Sequence, residues 1–157
     1  MKKLFLLLII AVFFLTGCES EESSNSHKRE IKEVTSLVCT MTEEKEEEVK
    51  EYTIELSFYE GKLITKKDTF TWSNSKKESC DFYKKREEIY NEMAGVRDTV
   101  TCSDTNGTRT TIYTISELIP EEVRIAESRY IRESGEFDYS SYKTYRQNEG
   151  YHCVENH

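Results

Sequence analysis

The sequence holds little proline, glycine or histidine, and none of the short motifs that carry familiar chemistry. One proline, six glycines, one tryptophan and three histidines stand among 157 residues. So few breakers exclude a collagen-like or proline-rich chain. His27 sits in a polar N-terminal stretch, His152 beside a cysteine and His157 at the chain end, none a promising place for a general base. No Gly-x-Ser-x-Gly, His-Glu-x-x-His or glycine-rich phosphate loop occurs. Ser73-x-x-Lys76 and Ser140-x-x-Lys143 match Ser-x-x-Lys formally, but without its companion motifs, and a helix-capping serine near Ser75 is the better account. Basic charge is short as well. Against 30 Asp and Glu there are 22 Lys and Arg, a net charge of −8. Nucleic acid is therefore not an expected partner, because binding it needs cations on phosphates, and anionic headgroups should repel the domain. The many carboxylates show no spacing that singles out a glycosidase pair. The run Glu43 to Lys50 lacks the interleaved Gly and Asn/Asp of a calcium loop and reads as a solvated hairpin loop. The expectation is a protein that is not an enzyme and has no cofactor and no metal site.

Long hydrophobic runs are absent except for one. Leu4 to Leu15 is unbroken apolar sequence behind Lys2 and Lys3, too short for the ~20 residues of a spanning helix and suited to a signal-peptide core. It ends in Leu15-Thr16-Gly17-Cys18, which resembles the lipobox of bacterial lipoproteins. Residues 1–17 are then a lipoprotein signal peptide, and Cys18 becomes the lipidated first residue on the outer face of the membrane. Residues 18–33 are Ser/Glu-rich and bury too little to repay their ordering entropy. Such a tether reaches roughly 20–25 Å. Residues 34–157 read as a single domain, expected to be monomeric.

Four cysteines remain: Cys39, Cys80, Cys102 and Cys153. In an exported chain an even number suggests disulfides, and no two lie close enough for a Cys-x₂₋₄-Cys zinc pair. Sequence alone allows three pairings. The coarse structure prefers Cys80–Cys102, stapling a helix to a strand, with Cys39–Cys153 pinning the C-terminal segment to the first strand.

The apolar periodicity predicts an α+β domain: an antiparallel sheet of about five strands with a central helix and C-terminal helices on one face. Leu37, Cys39 and Met41 alternate, as do Tyr52, Ile54, Leu56 and Phe58. Leu63 to Trp72 is the next strand, with Ile64, Phe70 and Trp72 on one face. Lys66 and Asp68 interrupt that face, which predicts fraying or a bulge. Ser75-Lys76-Lys77-Glu78 matches a capping box, opening a helix whose stripe is Phe82, Tyr83, Arg86, Ile89, Tyr90 and Met93, with Gly95 at its end. Val96 to Cys102 and Thr108 to Ile115 are strands joined by an Asn106-Gly107 turn of the primed kind. Pro120 with Glu121 and Glu122 marks a helix start, with Val123, Ala126 and Tyr130 on one face. Asp138 caps a last helix from Tyr139 to Glu149. Tyrosines cluster late, and Tyr142 and Tyr145 are expected on the sheet with their hydroxyls in water, rather than as a strip for sugars or peptide.

Leu37-Val38-Cys39-Thr40, the strands around Gly61, Met93-Ala94-Gly95-Val96 and the closing Glu149-Gly150-Tyr151-His152-Cys153 together resemble the YehR-like family of small bacterial lipoproteins, in its cysteine-bearing members of Gram-positive type. The likeness spans most of Val34 to Cys153, with Pro120 to Phe137 departing from the pattern. It implies a small α+β sheet with helices and no activity, ligand or catalytic residue. The expected function is a non-catalytic, membrane-anchored binding or interaction module for an unknown protein or small molecule. An inhibitor of an extracellular enzyme comes second, and a carboxylate-based glycan-acting enzyme third.

Overall fold

The structure, a computed structural model, describes residues 33–75, 78, 80–118 and 127–157. The chain divides into two units, Met1–Ile31 and Lys32–His157, and the described residues belong to the second. Cys18, the tether and the helix start expected at Pro120 lie outside them. The elements run β1 (Ser36–Lys45), β2 (Glu48–Tyr59), β3 (Lys62–Ser73), α1 (Cys80–Asn91), β4 (Val96–Cys102), β5 (Gly107–Thr114), α2 (Tyr139–Asn148) and β6 (His152–Asn156). Short 3₁₀ turns occupy Ile115–Glu117 and Ser128–Tyr130. The six strands form one antiparallel sheet in the order β4-β5-β3-β2-β1-β6. This is the expected α+β arrangement with one more strand: β6 pairs with β1 where the sequence reading placed only a chain end. No helix among the described residues is long and apolar enough to cross a membrane.

Two hairpins turn on two residues each. Glu46-Glu47 joins β1 to β2, so most of the Glu43–Lys50 run is extended strand rather than loop. Its ends pair in register, Glu43 with Lys50 and Lys45 with Glu48, and opposite charges face each other across the ladder. Glu60-Gly61 joins β2 to β3 with φ of 49° and 70°, the left-handed pair that a primed turn requires. Asn106-Gly107 does not make the primed turn expected of it, since neither residue has positive φ. The β4–β5 connection is a four-residue loop closed by Ser103 N–H to the Asn106 carbonyl at 2.7 Å.

Gly107 is needed for another reason. It opens β5 opposite Trp72 and Cys102, and a Cβ there would run into the indole ring and lie 2.6 Å from Cys102 Cβ. Trp72 is 1% exposed, so the ring has nowhere to retreat. Gly107→Ala is expected to cost about 1–3 kcal/mol through overpacking, read as a lower urea midpoint at unchanged m-value.

A bulge opposite Ser57/Phe58 sets which β3 residues face inward. Leu63 pairs with Phe58 and is buried, while Ile64 is 44% exposed. After the bulge Lys66, Asp68, Phe70 and Trp72 share the inner face with Leu56, Ile54, Tyr52 and Lys50. The middle of β3 is not frayed; its register is continuous from Thr65 to Ser73. The outer face carries aligned threonines, with Thr99, Thr110, Thr69, Thr53 and Thr40 in one row across five strands. β-Branched polar residues suit such a solvated pleat.

Both described helices lie on the inner face. α2 packs beside β1 and β6, and its Tyr142 is fully buried in the larger core cluster with Leu37, Leu56 and Phe137. The Asp138 cap holds, its carboxylate accepting from Ser141 N–H at 3.1 Å. α1 lies against β4 and differs from expectation. It has no buried residue, and Phe82 and Ile89 of the expected stripe are 53% and 60% exposed. Tyr83 of that stripe does pack on Trp72, with ring centroids 4.8 Å apart, and Tyr90 and Met93 pack against the cluster of Val96, Tyr113 and Leu118. What α1 presents to the edge of β4 is polar. The Asn91 amide bonds both the N–H and the carbonyl of Asp98, Glu87 accepts from Val100 N–H, and Lys84 donates to the Val100 carbonyl. Side chains thus stand in for a missing neighbour strand and cover an edge that would otherwise invite pairing. The Cys80–Cys102 disulfide fixes the start of α1 to the end of β4, and Cys39–Cys153 links the facing residues of β1 and β6.

The capping box at Ser75 is not formed. α1 begins at Cys80, and the Ser75 hydroxyl donates instead to Glu48 at 2.6 Å, fully buried. Glu78 accepts from Lys50 and from Tyr83. Ser75 is therefore held by a buried hydrogen bond to β2 and is not a helix cap.

Candidate functional site

The centre of the inner face is polar. Three strands make a grid there: Tyr113, Lys66 and Leu56 in one row, Thr111, Asp68 and Ile54 in the next, Arg109, Phe70 and Tyr52 in the third. Since α1 covers the β4 side and α2 the β1–β6 side, the grid is left as the floor of a cleft of about 260 Å³. Arg146 from α2 and Tyr151, just before β6, form one wall.

Each charge in the cleft has a partner. Lys66, 5% exposed, reaches Asp68 at 3.2 Å and Glu127 at 3.1 Å. Arg146 reaches the same Glu127 oxygen at 2.6 Å and also Glu149 at 2.9 Å. Glu127 has φ of 73°, a left-handed conformation unfavourable for a side-chain-bearing residue, and the two cations hold its carboxylate in place. Arg109 Nε meets both oxygens of Asp98, at 2.8 and 3.1 Å, and Asp98 also accepts from Thr111 at 2.7 Å. The Asp98 side chain has no exposed surface. Arg109 stacks on Tyr90 of α1, its guanidinium carbon 4.7 Å from the ring centroid, a cation–π contact.

Two charged groups remain short of hydrogen bonds. Asp68 Oδ1 and Arg109 Nη2 are buried with no partner, and both residues line the cleft. A buried polar atom left unpaired is costly. Burial pushes the Asp68 carboxyl above the usual range, with Lys66 pulling the other way. Tyr113 and Tyr151 also line the cleft, and burial raises both phenols above their ordinary value. Phe70 and Tyr52 stack at 5.0 Å and supply an aromatic patch. Chemically the cleft can stack against a ring and offer one acceptor, one donor and two phenols.

Few of the sequence-flagged residues come to this place. Tyr151 does. Tyr142 is buried rather than wet at its hydroxyl end, and its oxygen accepts from Arg146 Nε at 3.0 Å. Tyr145 donates to Glu149 at 2.5 Å. His152 is exposed on β6, in the outer-face row with Thr40. Lys143, of the formal Ser-x-x-Lys pattern, pairs with Glu155 at 2.8 Å. Among the described residues no group of three His, Cys, Asp or Glu could hold a metal ion. Asp68, Lys66, Asp98, Arg109 and Arg146 were not picked out as a site from sequence. Their one signal was the interruption of the apolar face of β3 by Lys66 and Asp68. No family model, curated protein or solved structure matches the chain.

Proposed function

We propose that the protein is a lipid-anchored, extracytoplasmic binding module without catalytic activity, holding a small ligand in the inner-face cleft. The observation that carries the ligand site is the pair of unpartnered buried groups, Asp68 Oδ1 and Arg109 Nη2, on residues of one aromatic-walled cleft. Sites of this build, apolar walls with a few placed polar groups, are typical of ligand pockets. The anchor rests on the charge, the length of the apolar run and Leu15-Thr16-Gly17-Cys18. Kinship with the YehR-like lipoproteins belongs to the same proposal and rests on the short motifs given above. The runner-up, an inhibitor of a basic extracellular enzyme, draws on the net charge of −8, since steering between opposite charges speeds association and weakens in salt.

The address and the binding role are tested separately. Cys18→Ala is expected to leave the protein in the soluble extracytoplasmic fraction with an unlipidated mass, whereas the unaltered chain stays with the membrane, because stable anchoring takes two or more acyl chains. A variant that remains membrane-bound at the same mature mass sinks the anchor. For the role, photo-cross-linking the lipidated protein on living cells and identifying its adducts by mass spectrometry should return a small molecule attached near Asp68. A stoichiometric, salt-sensitive protein adduct would favour the inhibitor, and turnover of a glycan substrate would overturn both.

A further inference from the structure

On the reading of this domain as a binding module, we propose that the cleft over β3 takes a single neutral sugar residue. The charges of the site decide against an ionic ligand. Lys66 is met by Asp68 and Glu127, Arg146 by Glu127 and Glu149, and Arg109 by Asp98. A ligand of net charge would bring a further ion to a site where Lys66, Arg146 and Arg109 each already have a carboxylate partner. A zwitterion fares little better. Its ammonium at Asp68 would stand beside Lys66 Nζ, which is 3.2 Å from that carboxylate, and its carboxylate at Arg109 would stand beside Asp98.

What the site lacks is hydrogen bonds, not charge. Asp68 Oδ1 needs a donor and Arg109 Nη2 an acceptor, while the phenols of Tyr113 and Tyr151 can do either. A hydroxyl both donates and accepts. Asp68 and Arg109 sit diagonally on adjacent strands, within reach of a common small ligand, so neighbouring hydroxyls of one ring can satisfy both once the two side chains turn their unpaired atoms to the cleft. The apolar C–H face of a sugar then has the Tyr52 ring to lie against, since Phe70 already stacks on both Tyr52 and Trp72. A cleft of about 260 Å³ falls below the ~300–1,000 Å³ of drug-sized sites, which sets the limit at one ring. Either a free monosaccharide or the terminal unit of a surface glycan supplies this chemistry.

The test uses the full-length lipidated protein in a detergent without a sugar headgroup. Glucose, galactose, mannose and N-acetylglucosamine are titrated by saturation-transfer NMR and calorimetry. Glucosamine, glucuronate and glycine serve as the cationic, anionic and zwitterionic comparators. At least one neutral sugar should bind at millimolar concentration or better, and bind more tightly than all three comparators. Tyr113→Phe and Asp68→Ala should each weaken it about tenfold with the melting transition retained. If the methyl glycoside of that sugar binds as well, the source is a glycan end; if glycosylation abolishes binding, it is the free sugar. The inference is overturned if a charged comparator binds more tightly, if both variants fold and keep the sugar's affinity, or if no neutral sugar binds at millimolar concentration. A small-molecule adduct at Asp68 in the cell-surface experiment would leave the binding role standing even then.

Discussion

Replacing Cys39 and Cys153 together by alanine is expected to remove about 4–5 kcal/mol of stability, more than the loss of the other disulfide. The bond joins residues 114 positions apart, and in the chain-entropy model a crosslink restrains the unfolded chain more as the loop lengthens. The same model gives about 3 kcal/mol for Cys80–Cys102, which spans 22 positions. Location should widen the difference. Cys39 is fully buried and Cys153 is 6% exposed, both in the main core, so alanines there also leave unfilled volume. β6 is only five residues long and sits at the sheet edge, held to β1 by a five-pair ladder and by this bond at its centre. Cys80 and Cys102 are only half-buried, at the start of a helix with no fully buried residue. Urea unfolding of three proteins decides the matter: unaltered, Cys39→Ala/Cys153→Ala, and Cys80→Ala/Cys102→Ala. Equal losses from the two double variants would contradict the ordering, as would a larger loss from the second.

The sheet was legible in the sequence wherever alternation was clean. Tyr52 to Phe58 reads as a strand because one face of β2 is buried and the other wet, and Val96 to Cys102 reads likewise. The errors have local physical causes. Asn-Gly is a strong turn signal, yet at Asn106-Gly107 the glycine answers a cross-strand tryptophan, while the turn that Glu60-Gly61 does signal is present as a left-handed pair. Of the α1 stripe, Tyr83, Tyr90 and Met93 do pack inward, whereas Phe82 and Ile89 are exposed, and the helix is held as well by Lys84, Glu87 and Asn91 bonding to a strand edge. His152 to Asn156 is too short and polar to declare itself a strand without β1 beside it. Part of the site was visible: Lys66 and Asp68 break an otherwise apolar face, and they do so because they floor a cleft. Asp98, Arg109 and Arg146 could not be joined to them without the register of β3 against β5 and the placement of α2.

Asp98→Ala is expected to cost about 3–5 kcal/mol, because it strands a buried charge. The Arg109 guanidinium is only 13% exposed and Asp98 is its ion-pair partner. Its Nη2 already lacks a hydrogen bond, and the Tyr90 ring beneath it cannot replace a carboxylate. Thr111 loses its acceptor in the same step. Removing both charges should be far milder. Asp98→Leu/Arg109→Leu exchanges a buried pair for apolar volume next to Val96, Val100 and Tyr90, and such exchanges are often neutral or stabilising. The double variant should therefore melt well above Asp98→Ala, a coupling that a thermal double-mutant cycle reads directly. It should also fold with the cleft's guanidinium donor gone, so ligand capture at Asp68 should weaken in a protein of near-normal stability. If Asp98→Ala instead melts within about 1 kcal/mol of the parent, a range usual for exposed ion pairs, then Arg109 finds water or another partner and the pair is not the buried unit its geometry indicates.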